Sequence, residues 1–213
     1  MGTVNSIPRP TLRRLPRYYF LLKNLAKTGQ AYISSSDVAR ELSMEDTLVR
    51  KDLSLTGFTG KPKVGYSVTM LIAHIEEILG LNNTKDAVIV GVGNLGKALV
   101  GYPGFREFGL HIVAAFDSDN AKIGRTIGGL RVENSSSLSD RLLEMDVHLG
   151  IITVPAEAAQ DVADSLIDGG VLALWNFAPQ HLRIPEHVLI QNENLAARLS
   201  RLSHFITGLV YEK

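Results

Sequence analysis

A glycine-rich segment with the spacing Gly-x-Gly-x-x-Gly follows directly after the apolar residues 87–90 and precedes the helix-forming residues 97–100. In a strand-turn-helix unit, the first glycine of this pattern permits a tight turn, the second lets the backbone approach a pyrophosphate, and the third lets the helix pack on the strand. The N-terminal amides of the helix attract the phosphates. We therefore predict a dinucleotide site formed by Gly91, Val92, Gly93, Asn94, Leu95 and Gly96.

An acidic residue stands where such a site needs one. The next apolar run, residues 112–116, ends at Asp117, which lies 21 residues after Gly96, and the expected distance is about 20. A carboxylate there accepts hydrogen bonds from the adenosine ribose hydroxyls and repels a 2′-phosphate, which favours NAD(H) over NADP(H). Lys122 and Arg125 lie close by and leave that preference open. A glycine-rich turn without a ligand, beside a solvated Asp117, is the structural alternative.

Two further predicted strands, residues 147–152 and 171–174, end in residues suited to the walls of the same site. Open parallel sheets bind ligands at the carboxyl ends of their strands, so polar contacts from Thr153 and Asn176 and an apolar wall from Phe177 are expected. A loop with two aromatic residues follows the glycine-rich helix and is expected near the same edge. All these residue types also occur in plain turns. The candidates are Thr153, Val154, Pro155, Asn176, Phe177, Tyr102 and Phe105.

A pair of short helices is predicted in the N-terminal part of the chain. The serines at positions 34–36 offer N-cap hydroxyls for a helix over residues 37–42. Ser43 and Asp46 then match a capping box, which predicts a third helix that runs to about Leu55. Two short helices joined by a tight turn indicate a helix-turn-helix.

The third helix separates polar from apolar side chains when it is projected at about 100° per residue. Its apolar arc holds Leu48, Val49, Leu53 and Leu55. Its polar arc suits the major groove of DNA, because arginine can fork onto guanine while lysine and serine hold phosphates. An ordinary solvated helix face is the alternative. Asp52 falls in the apolar arc, where we expect it to bind a neighbouring cation or backbone amide.

Residues 58–68 place strand-like residues on both sides of a Gly/Pro/Lys turn and predict a β-hairpin with a basic tip. Such a hairpin beside a recognition helix can place lysines on phosphates. With a first helix over residues 12–27, the N-terminal part is predicted to be a winged helix. The candidate DNA-binding residues are Ser35, Thr47, Arg50, Lys51, Ser54, Lys61, Lys63 and Tyr66.

Charge and composition narrow the function classes. The 22 basic and 22 acidic residues give a formal net charge of zero, but the first 80 residues hold 11 basic and 7 acidic ones, a net of +4, which suits a polyanion. The absence of cysteine excludes disulfides, thiolate metal sites and thiol-based redox switching. The six histidines show no metal-ligand spacing. No apolar run is long enough to predict a membrane span. We expect a cytoplasmic protein.

The remaining residues argue against an enzyme. Six predicted strands, including two short ones over residues 130–133 and 188–190, fill residues 86–190 and leave no room for a substrate domain. No histidine forms a recognisable catalytic arrangement. Apolar residues at helical spacing in the tail predict one amphipathic helix: Leu195, Leu199, Leu202, Phe205, Ile206 and Leu209. The predicted domains are a winged-helix DNA-binding domain over residues 1–80, a Rossmann NAD(H)-binding domain over residues 81–190 and a C-terminal helix over residues 191–213.

These motifs, in this order, resemble the Rex family of redox-sensing transcriptional repressors. The resemblance covers residues 12–206 and rests on Arg50-Lys51-Asp52, the glycine-rich end of the hairpin, residues 91–96, Phe116-Asp117, residues 153–155, residues 176–179 and the final helix. It implies an α/β protein with an N-terminal winged helix-turn-helix domain, a Rossmann-type parallel-sheet NAD-binding domain, and a C-terminal helix swapped between the subunits of a homodimer. It also implies a palindromic operator in double-stranded DNA, competition between NADH and NAD+, and release of the operator when NADH binds.

Three residues depart from the family pattern. Phe20 stands where an arginine is common, and Asn194 stands where an aspartate commonly begins the swapped helix. In the family those two side chains pair, and replacing both together leaves no buried charge unpaired. We expect DNA binding and nucleotide binding to be retained and the response to NADH to be either weaker or rebuilt from other contacts. Lys63 stands where a glycine is usual, so the hairpin is expected to hold phosphate more strongly and to bend differently.

Two other functions stay open. One is a small NAD-dependent oxidoreductase. The other keeps the DNA-binding module but responds to a CoA-type ligand, because the Rossmann half also resembles the CoA-binding domains of acyl-CoA ligases. Asp117 favours NAD over CoA.

Overall fold

The computed structural model describes residues 7–83, 85–194, 196, 197, 199, 200, 203 and 206. The chain divides into two compact units, Met1–Asn83 and Thr84–Lys213. The first unit is mainly helical, and the second is a parallel sheet with helices.

Four helices and a two-stranded sheet form the first unit. In chain order they are α1 Arg9–Lys27, β1 Tyr32–Ile33, α2 Ser35–Leu42, α3 Asp46–Leu55, β2 Tyr66–Ser67 and α4 Val68–Leu79. Each helix buries its apolar stripe in one core, in which Leu15, Leu22, Val49, Leu53 and Ile75 are at most 1% exposed. The predicted helix-turn-helix is therefore present as α2 and α3, held from behind by α1 and α4.

The start of α3 differs from the prediction. Ser43 does not cap α3 but ends α2, in the left-handed conformation with φ 51° and with its amide bonded to carbonyls of α2. Glu45 occupies the N-cap position of α3 and makes no side-chain cap hydrogen bond. The predicted capping box is therefore wrong, because the turn uses Ser43 to close the preceding helix. Leu55, which was expected to face inward, is 39% exposed at the last position of α3.

The segment over residues 58–67, called the wing below, is not a hairpin of two strands of its own. β2 pairs antiparallel with β1, and Tyr66 lies opposite Ile33. Within the wing a single bridge joins Lys61 and Gly65. The predicted hairpin is therefore wrong in its pairing, because its glycine- and proline-rich residues have little tendency to form a ladder and β1 supplies the partner strand instead.

A seven-stranded sheet forms the centre of the second unit. Its strands are β3 Lys85–Val90, β4 Leu110–Asp117, β5 Thr126–Ile127, β6 Leu130–Asn134, β7 Leu149–Ile152, β8 Ala173–Asn176 and β9 Leu189–Asn192. The strand order is β5-β6-β4-β3-β7-β8-β9, and all neighbours are parallel except β5 and β6. This order extends in both directions from β3, as in a Rossmann-type dinucleotide-binding sheet.

Helices cover both faces of the sheet, and they are α5 Asn94–Val100, α6 Gly104–Glu107, α7 Leu138–Leu143 and α8 Ala159–Asp168. Side chains alternate along β3, since Val88 and Val90 belong to the core that includes residues of α7 and α8. Ala87 and Ile89 belong to the opposite core, against which residues of α5 and α6 pack. A strand buried on both faces is apolar throughout, which explains why the sequence shows β3 as an uninterrupted apolar run.

One strand was not predicted. β5 pairs antiparallel with β6, and Ile127 lies opposite Leu130. Gly128 and Gly129 form the two-residue turn between them, with φ of 58° and 86°. A pair of glycines with positive φ is typical of a tight hairpin turn, so the Gly-Gly pair was the sequence feature that could have revealed this strand.

The C-terminal helix prediction is covered only in part. The described residues between positions 196 and 206 are helical and exposed, and they include Leu199 and Ile206. Leu195, Leu202, Phe205 and Leu209 lie outside the described residues. No helix in the described part of the chain is long and apolar enough to cross a membrane.

Candidate functional site

A candidate site of the second unit is a cleft at the carboxyl ends of β3, β4 and β7. β3 pairs with β4 on one side and with β7 on the other, so the chain changes direction across the sheet at this point. Such switch points are where open parallel sheets bind ligands. The cleft has a volume of about 740 Å³ and begins at Val90 and Gly91, and a volume of this size suits a small-molecule ligand.

The three glycines of the motif differ in what surrounds them. Gly91 has φ 94°, and a Cβ atom there would lie 2.8 Å from the carbonyl oxygen of Thr153. A Cβ at Gly96 would lie 2.0 Å from the carbonyl oxygen of Gly91, so α5 packs directly on the turn. A Cβ at Gly93 would meet nothing within 4 Å. Gly91 and Gly96 are therefore needed by the fold itself, whereas the space beside Gly93 fits a pyrophosphate against the backbone.

Thr153 fastens the end of β7 to the glycine turn. Its hydroxyl donates to the carbonyl oxygen of Gly91 at 2.6 Å and lies 3.1 Å from the carbonyl oxygen of Val90. Its amide donates to the same Val90 carbonyl at 2.9 Å. The sequence predicted Thr153 as a polar ligand contact, and in this structure its hydroxyl hydrogen is used to hold two strand ends together.

Asp117 is 6% exposed and is held by three donors. The amide of Val92 donates to its Oδ2 at 2.8 Å, the amide of Asp119 donates to its Oδ1 at 2.9 Å, and Lys122 Nζ donates to Oδ2 at 3.0 Å. Burial opposes ionisation of this carboxyl, but the two amides and Lys122 outweigh burial and lower its pKa. Asp117 is therefore a fixed carboxylate that joins the end of β4 to the glycine turn.

Eight of the predicted nucleotide residues line the cleft. They are Gly91, Gly93, Asn94, Leu95, Asp117, Thr153, Val154 and Pro155. Val92 and Gly96 are buried beneath it and shape it. The structure thus gathers in one place three segments that are separated along the chain.

The other predicted nucleotide residues do not line this cleft. Asn176 is 1% exposed, and its amide nitrogen donates to the carbonyls of Ala178 and Gln180 and to Asn192 Oδ1. Phe177 packs on Trp175 with ring centroids 4.9 Å apart. The aromatic rings of Tyr102 and Phe105 are 5.0 Å apart and line a different cavity of about 530 Å³. In this structure, Asn176 and Phe177 contribute to packing, whereas Tyr102 is 55% exposed and lines the other cavity together with Phe105.

The cleft also contains residues that the sequence reasoning missed. Asn134 is the last residue of β6 and lies beside Asp117 at the same edge of the sheet, and Ser135 and Ser136 follow it. Ser118 directly follows β4. The strand that became β6 was predicted, so its carboxyl end could have been placed at this edge by the same rule that placed Thr153.

The polar face of α3 is exposed as predicted. Thr47, Arg50, Lys51 and Ser54 are all exposed, and Ser35 at the start of α2 is half-buried. Arg50 forms an ion pair with Asp46 one turn earlier on the same helix. This pair holds the guanidinium along the helix surface, so Arg50 has to exchange Asp46 for another partner before it can fork onto a base.

The opposite face of α3 is fixed to α1 by Asp52. Thr11 Oγ1 donates to Asp52 Oδ1 at 2.9 Å, and Tyr18 OH donates to Oδ2 at 2.6 Å. Arg14 donates to both carboxylate oxygens, at 2.5 and 2.6 Å. The expectation that Asp52 binds a neighbouring cation is therefore confirmed, and this buried cluster joins α3 to α1.

The wing presents two exposed lysines. Lys61 Nζ lies 5.9 Å from the centre of the Tyr32 ring, a cation–π distance. Lys63 has φ 62°, a conformation that glycine adopts without strain and lysine does not. Tyr66 is half-buried, and its ring packs 3.1 Å from where a Cβ at Gly60 would lie. Tyr66 thus supports the wing from below, while the lysines face solvent.

Asn194 has a structural partner of its own. Its Oδ1 accepts a hydrogen bond from the amide of Ala197 at 2.9 Å, as a residue at the N-cap of a helix does. An aspartate at this position could accept the same bond. Phe20, the position whose side chain pairs with that of position 194 in the family, is 49% exposed.

No group of three or more histidines, aspartates or glutamates in the described residues could hold a metal ion.

Comparison with family models gives two matches. "Putative DNA-binding protein N-terminus" matches residues 6–54, and "CoA binding domain" matches residues 82–180.

Curated relatives match almost the whole chain. The redox-sensing transcriptional repressor Rex of Treponema denticola is 44% identical over 193 residues, which cover 91% of this chain and 92% of that protein. The protein of the same name from Bacteroides fragilis is 41% identical over 194 residues, with 91% and 88% covered.

Solved structures extend this similarity. RSP, a Rex-family repressor, in complex with β-NAD+ and operator DNA has a TM-score of 0.89 and 31% identity, and 94% of this chain and 93% of that chain are covered. RSP in complex with β-NADH has a TM-score of 0.86 and 31% identity, with 97% and 96% covered. Both halves of this chain therefore have counterparts in one known protein.

Proposed function

Because this chain belongs to the Rex family of redox-sensing transcriptional repressors, we propose that it represses transcription by binding a palindromic DNA operator and releases that operator when NADH binds. The observation that carries the proposal is that the chain matches RSP over more than nine-tenths of its length, and RSP is described with NAD+ and operator DNA and with NADH. The nucleotide cleft and the polar face of α3 are the two sites that this function requires.

NAD(H) is proposed as the ligand of the cleft. The open space beside Gly93 and the N-terminus of α5 suit a pyrophosphate, and Asp117 suits the adenosine ribose hydroxyls. Asp117 already accepts three hydrogen bonds, but each carboxylate oxygen can accept two. One further bond to Oδ1 is therefore available to a ribose hydroxyl without displacing Lys122.

DNA is proposed to contact one face of the first unit. Arg50 is assigned to a base edge, and the neighbouring Thr47, Lys51 and Ser54 to phosphates and bases. Lys61 and Lys63 on the wing add phosphate contacts that carry no sequence preference. The remaining candidates, Ser35 and Tyr66, are half-buried, so we assign them to phosphate contact at the start of α2 and to support of the wing.

The active form is proposed to be a homodimer that is joined through its C-terminal helices, because a palindromic operator requires a two-fold symmetric reader. The predicted domain limits, residues 1–80, 81–190 and 191–213, assign one function to each part. A repressor has to reach DNA, which is consistent with the cytoplasmic location that we expect. Rex proteins act as regulators, and we propose that this chain likewise turns over no substrate.

An operator titration tests the proposal directly. The full chain is titrated onto a palindromic operator selected from random DNA, with no nucleotide, with NAD+ and with NADH. We expect tight binding without nucleotide and with NAD+, and weaker binding with NADH. Equal operator affinity in all three conditions would contradict redox sensing, and substrate-dependent consumption of NADH would instead identify an oxidoreductase.

A CoA-type ligand is the second candidate, and the match of residues 82–180 to the CoA-binding family model favours it. Calorimetric titration of the same protein with NADH, NAD+ and CoA separates the two ligands. Binding of CoA alone would replace NAD(H) in the proposal and leave the DNA-binding part unchanged.

A further inference from the structure

The adenosine end of the nucleotide cleft contains a positive charge next to its acidic residue. Lys122 Nζ lies 3.0 Å from Asp117 Oδ2 and 3.6 Å from Asp119 Oδ2, and the Lys122 side chain is 31% exposed. All three side chains line the cleft. The lysine is therefore held in a fixed place by two carboxylates and still faces the space where a ligand lies.

This arrangement changes the electrostatics on which NAD-specific sites depend. A lone carboxylate at this position rejects a 2′-phosphate by charge repulsion. Here one ammonium stands against two carboxylates, so the local charge is −1 with Lys122 and −2 without it. Because the Lys122 side chain is only partly exposed, solvent does not fully screen this difference in charge.

The surrounding residues can also accommodate a phosphate. Asn134 lies opposite Asp117 on the neighbouring strand β6. The hydroxyl-bearing residues Ser135 and Ser136 follow it, and they line the cleft together with Lys122. Hydroxyls and a lysine are groups that hold phosphate oxygens, and this end of the cleft provides both.

We propose that Lys122 sets how strongly this site discriminates against dinucleotides that carry a 2′-phosphate. The proposal rests on the proposed function, because it requires a dinucleotide in the cleft. The ammonium does not replace Asp117, which still binds the ribose. It offsets the repulsion that Asp117 and Asp119 exert on an added phosphate, and the serine hydroxyls provide further donors.

The test measures dissociation constants of NADH and NADPH by calorimetry for the full-length protein and three variants. In Lys122→Met we expect the ratio of the NADPH to the NADH dissociation constant to rise about tenfold. In Lys122→Arg, which keeps the charge, the ratio should stay near that of the unmodified protein. In Asp119→Asn the ratio should fall, because one repelling charge is removed.

Arg125→Met is the matched control, since it also removes one positive charge. Arg125 lies three residues after Lys122, is exposed and does not line the cleft. We expect it to leave the ratio unchanged within about twofold. The Lys122→Met effect should also shrink at high salt, because it is a charge effect.

Two results would overturn the inference. If Lys122→Met weakens the binding of NADH and NADPH equally, Lys122 only positions Asp117. If Arg125→Met raises the ratio of the NADPH to the NADH dissociation constant as much as Lys122→Met does, the effect is one of overall charge. A different result concerns the proposed function itself. If the unmodified protein binds operator but neither NADH nor NADPH, the proposed nucleotide site fails whatever the variants do, and the inference fails with it.

Discussion

The guanidinium of Arg14 in α1 contacts both carboxylate oxygens of Asp52 in α3, although 38 residues separate them along the chain. Asp52 is 1% exposed, and the hydroxyls of Thr11 and Tyr18 complete its hydrogen bonds. The helix that carries Arg50 is therefore fixed to α1 by a buried ion pair, and we expect both stability and DNA binding to depend on this pair.

Replacing Asp52 tests this dependence. We expect Asp52→Asn to lower the free energy of unfolding by roughly 3 kcal/mol, because it leaves the Arg14 charge partly buried without a counter-ion. Denaturant unfolding of the full chain measures the change. Tyr18→Phe is the milder comparison, since it removes one hydrogen bond and should cost about 1 kcal/mol. Equal and small losses in both variants would show that the ion pair contributes little.

The same carboxylate predicts a pH dependence. Burial opposes ionisation of Asp52, but hydrogen bonds from Arg14, Tyr18 and Thr11 outweigh it and lower its pKa. Since the folded pKa lies below the unfolded value of about 3.9, this group stabilises the fold above that pH and the stabilisation is lost as the pH falls through the folded pKa. Unfolding curves measured from pH 7 downward should therefore show an acid-induced loss of stability that is smaller in Asp52→Asn.

On the opposite side of α3, we expect Arg50→Ala to weaken operator binding by about 1–3 kcal/mol and to relax the preference at one base position. Lys51→Ala, a change of equal charge on the next residue, should instead weaken binding to all sequences and reduce the slope of affinity against salt by about one. Titrations on operator and on scrambled DNA at several salt concentrations distinguish these effects. An unchanged operator preference in Arg50→Ala would remove this residue from the base-contacting group.

The glycines of the cleft give a prediction that separates folding from ligand binding. Gly93→Ala should change the free energy of unfolding by less than about 1 kcal/mol, because the added Cβ meets nothing. It should weaken NADH binding by about tenfold or more, since the methyl group takes the place of the approaching pyrophosphate.

Gly96→Ala is the contrasting variant. Its Cβ would overlap the carbonyl oxygen of Gly91, so it should destabilise the fold by about 1–3 kcal/mol. Denaturation and calorimetry on the two variants check both expectations. Normal NADH affinity in a folded Gly93→Ala protein would mean that the pyrophosphate does not lie beside this glycine.

Lys63 combines a strained backbone with a positive charge that we expect to contact DNA phosphates. Its φ of 62° costs lysine roughly 1–2 kcal/mol that glycine avoids. Lys63→Gly should therefore be more stable than Lys63→Ala by about 1 kcal/mol, whereas both should reduce the salt slope of DNA binding by about one. Thermal unfolding and salt titrations of the pair make the comparison. If the alanine variant is as stable as the glycine variant, the strain at Lys63 is absent in solution.

The positions that depart from the Rex pattern allow a double-mutant cycle. Phe20→Arg and Asn194→Asp together should increase the NADH-induced loss of operator affinity by at least about 1 kcal/mol more than the sum of the single variants. Asp at position 194 can keep the hydrogen bond that Asn194 accepts from Ala197, so the start of the helix is preserved. A purely additive result would mean that nucleotide and DNA sites communicate without this pair.

Features carried by local pattern were predictable from the sequence. The strand before Gly91 is apolar because it is buried on both faces, and the distance from Gly96 to Asp117 is set by the two short helices α5 and α6 and the strand β4. The apolar side of α3 emerged from helical spacing, and Asp52 stood out because a charge interrupts that side. In each case the physical requirement acts over fewer than about 30 residues.

Features that depend on distant partners were not predictable. Lys122 could be noticed near Asp117 in the sequence, but its ion pair depends on how the loop after β4 turns back. Asn176 was expected at the ligand, yet its amide holds Asn192 on a neighbouring strand. The wing pairs with β1 through residues more than 30 positions apart, and no short-range pattern reports that pairing.

Asn176 gives the C-terminal helix a fixed foundation. Its side chain is buried at the end of β8 and binds Asn192 at the end of β9, and the helix cap Asn194 lies two residues further on. The base of the helix is thereby fastened to the same edge of the sheet that forms the nucleotide cleft. A displacement of that edge would therefore be passed through Asn192 to Asn194, the residue that caps the start of this helix.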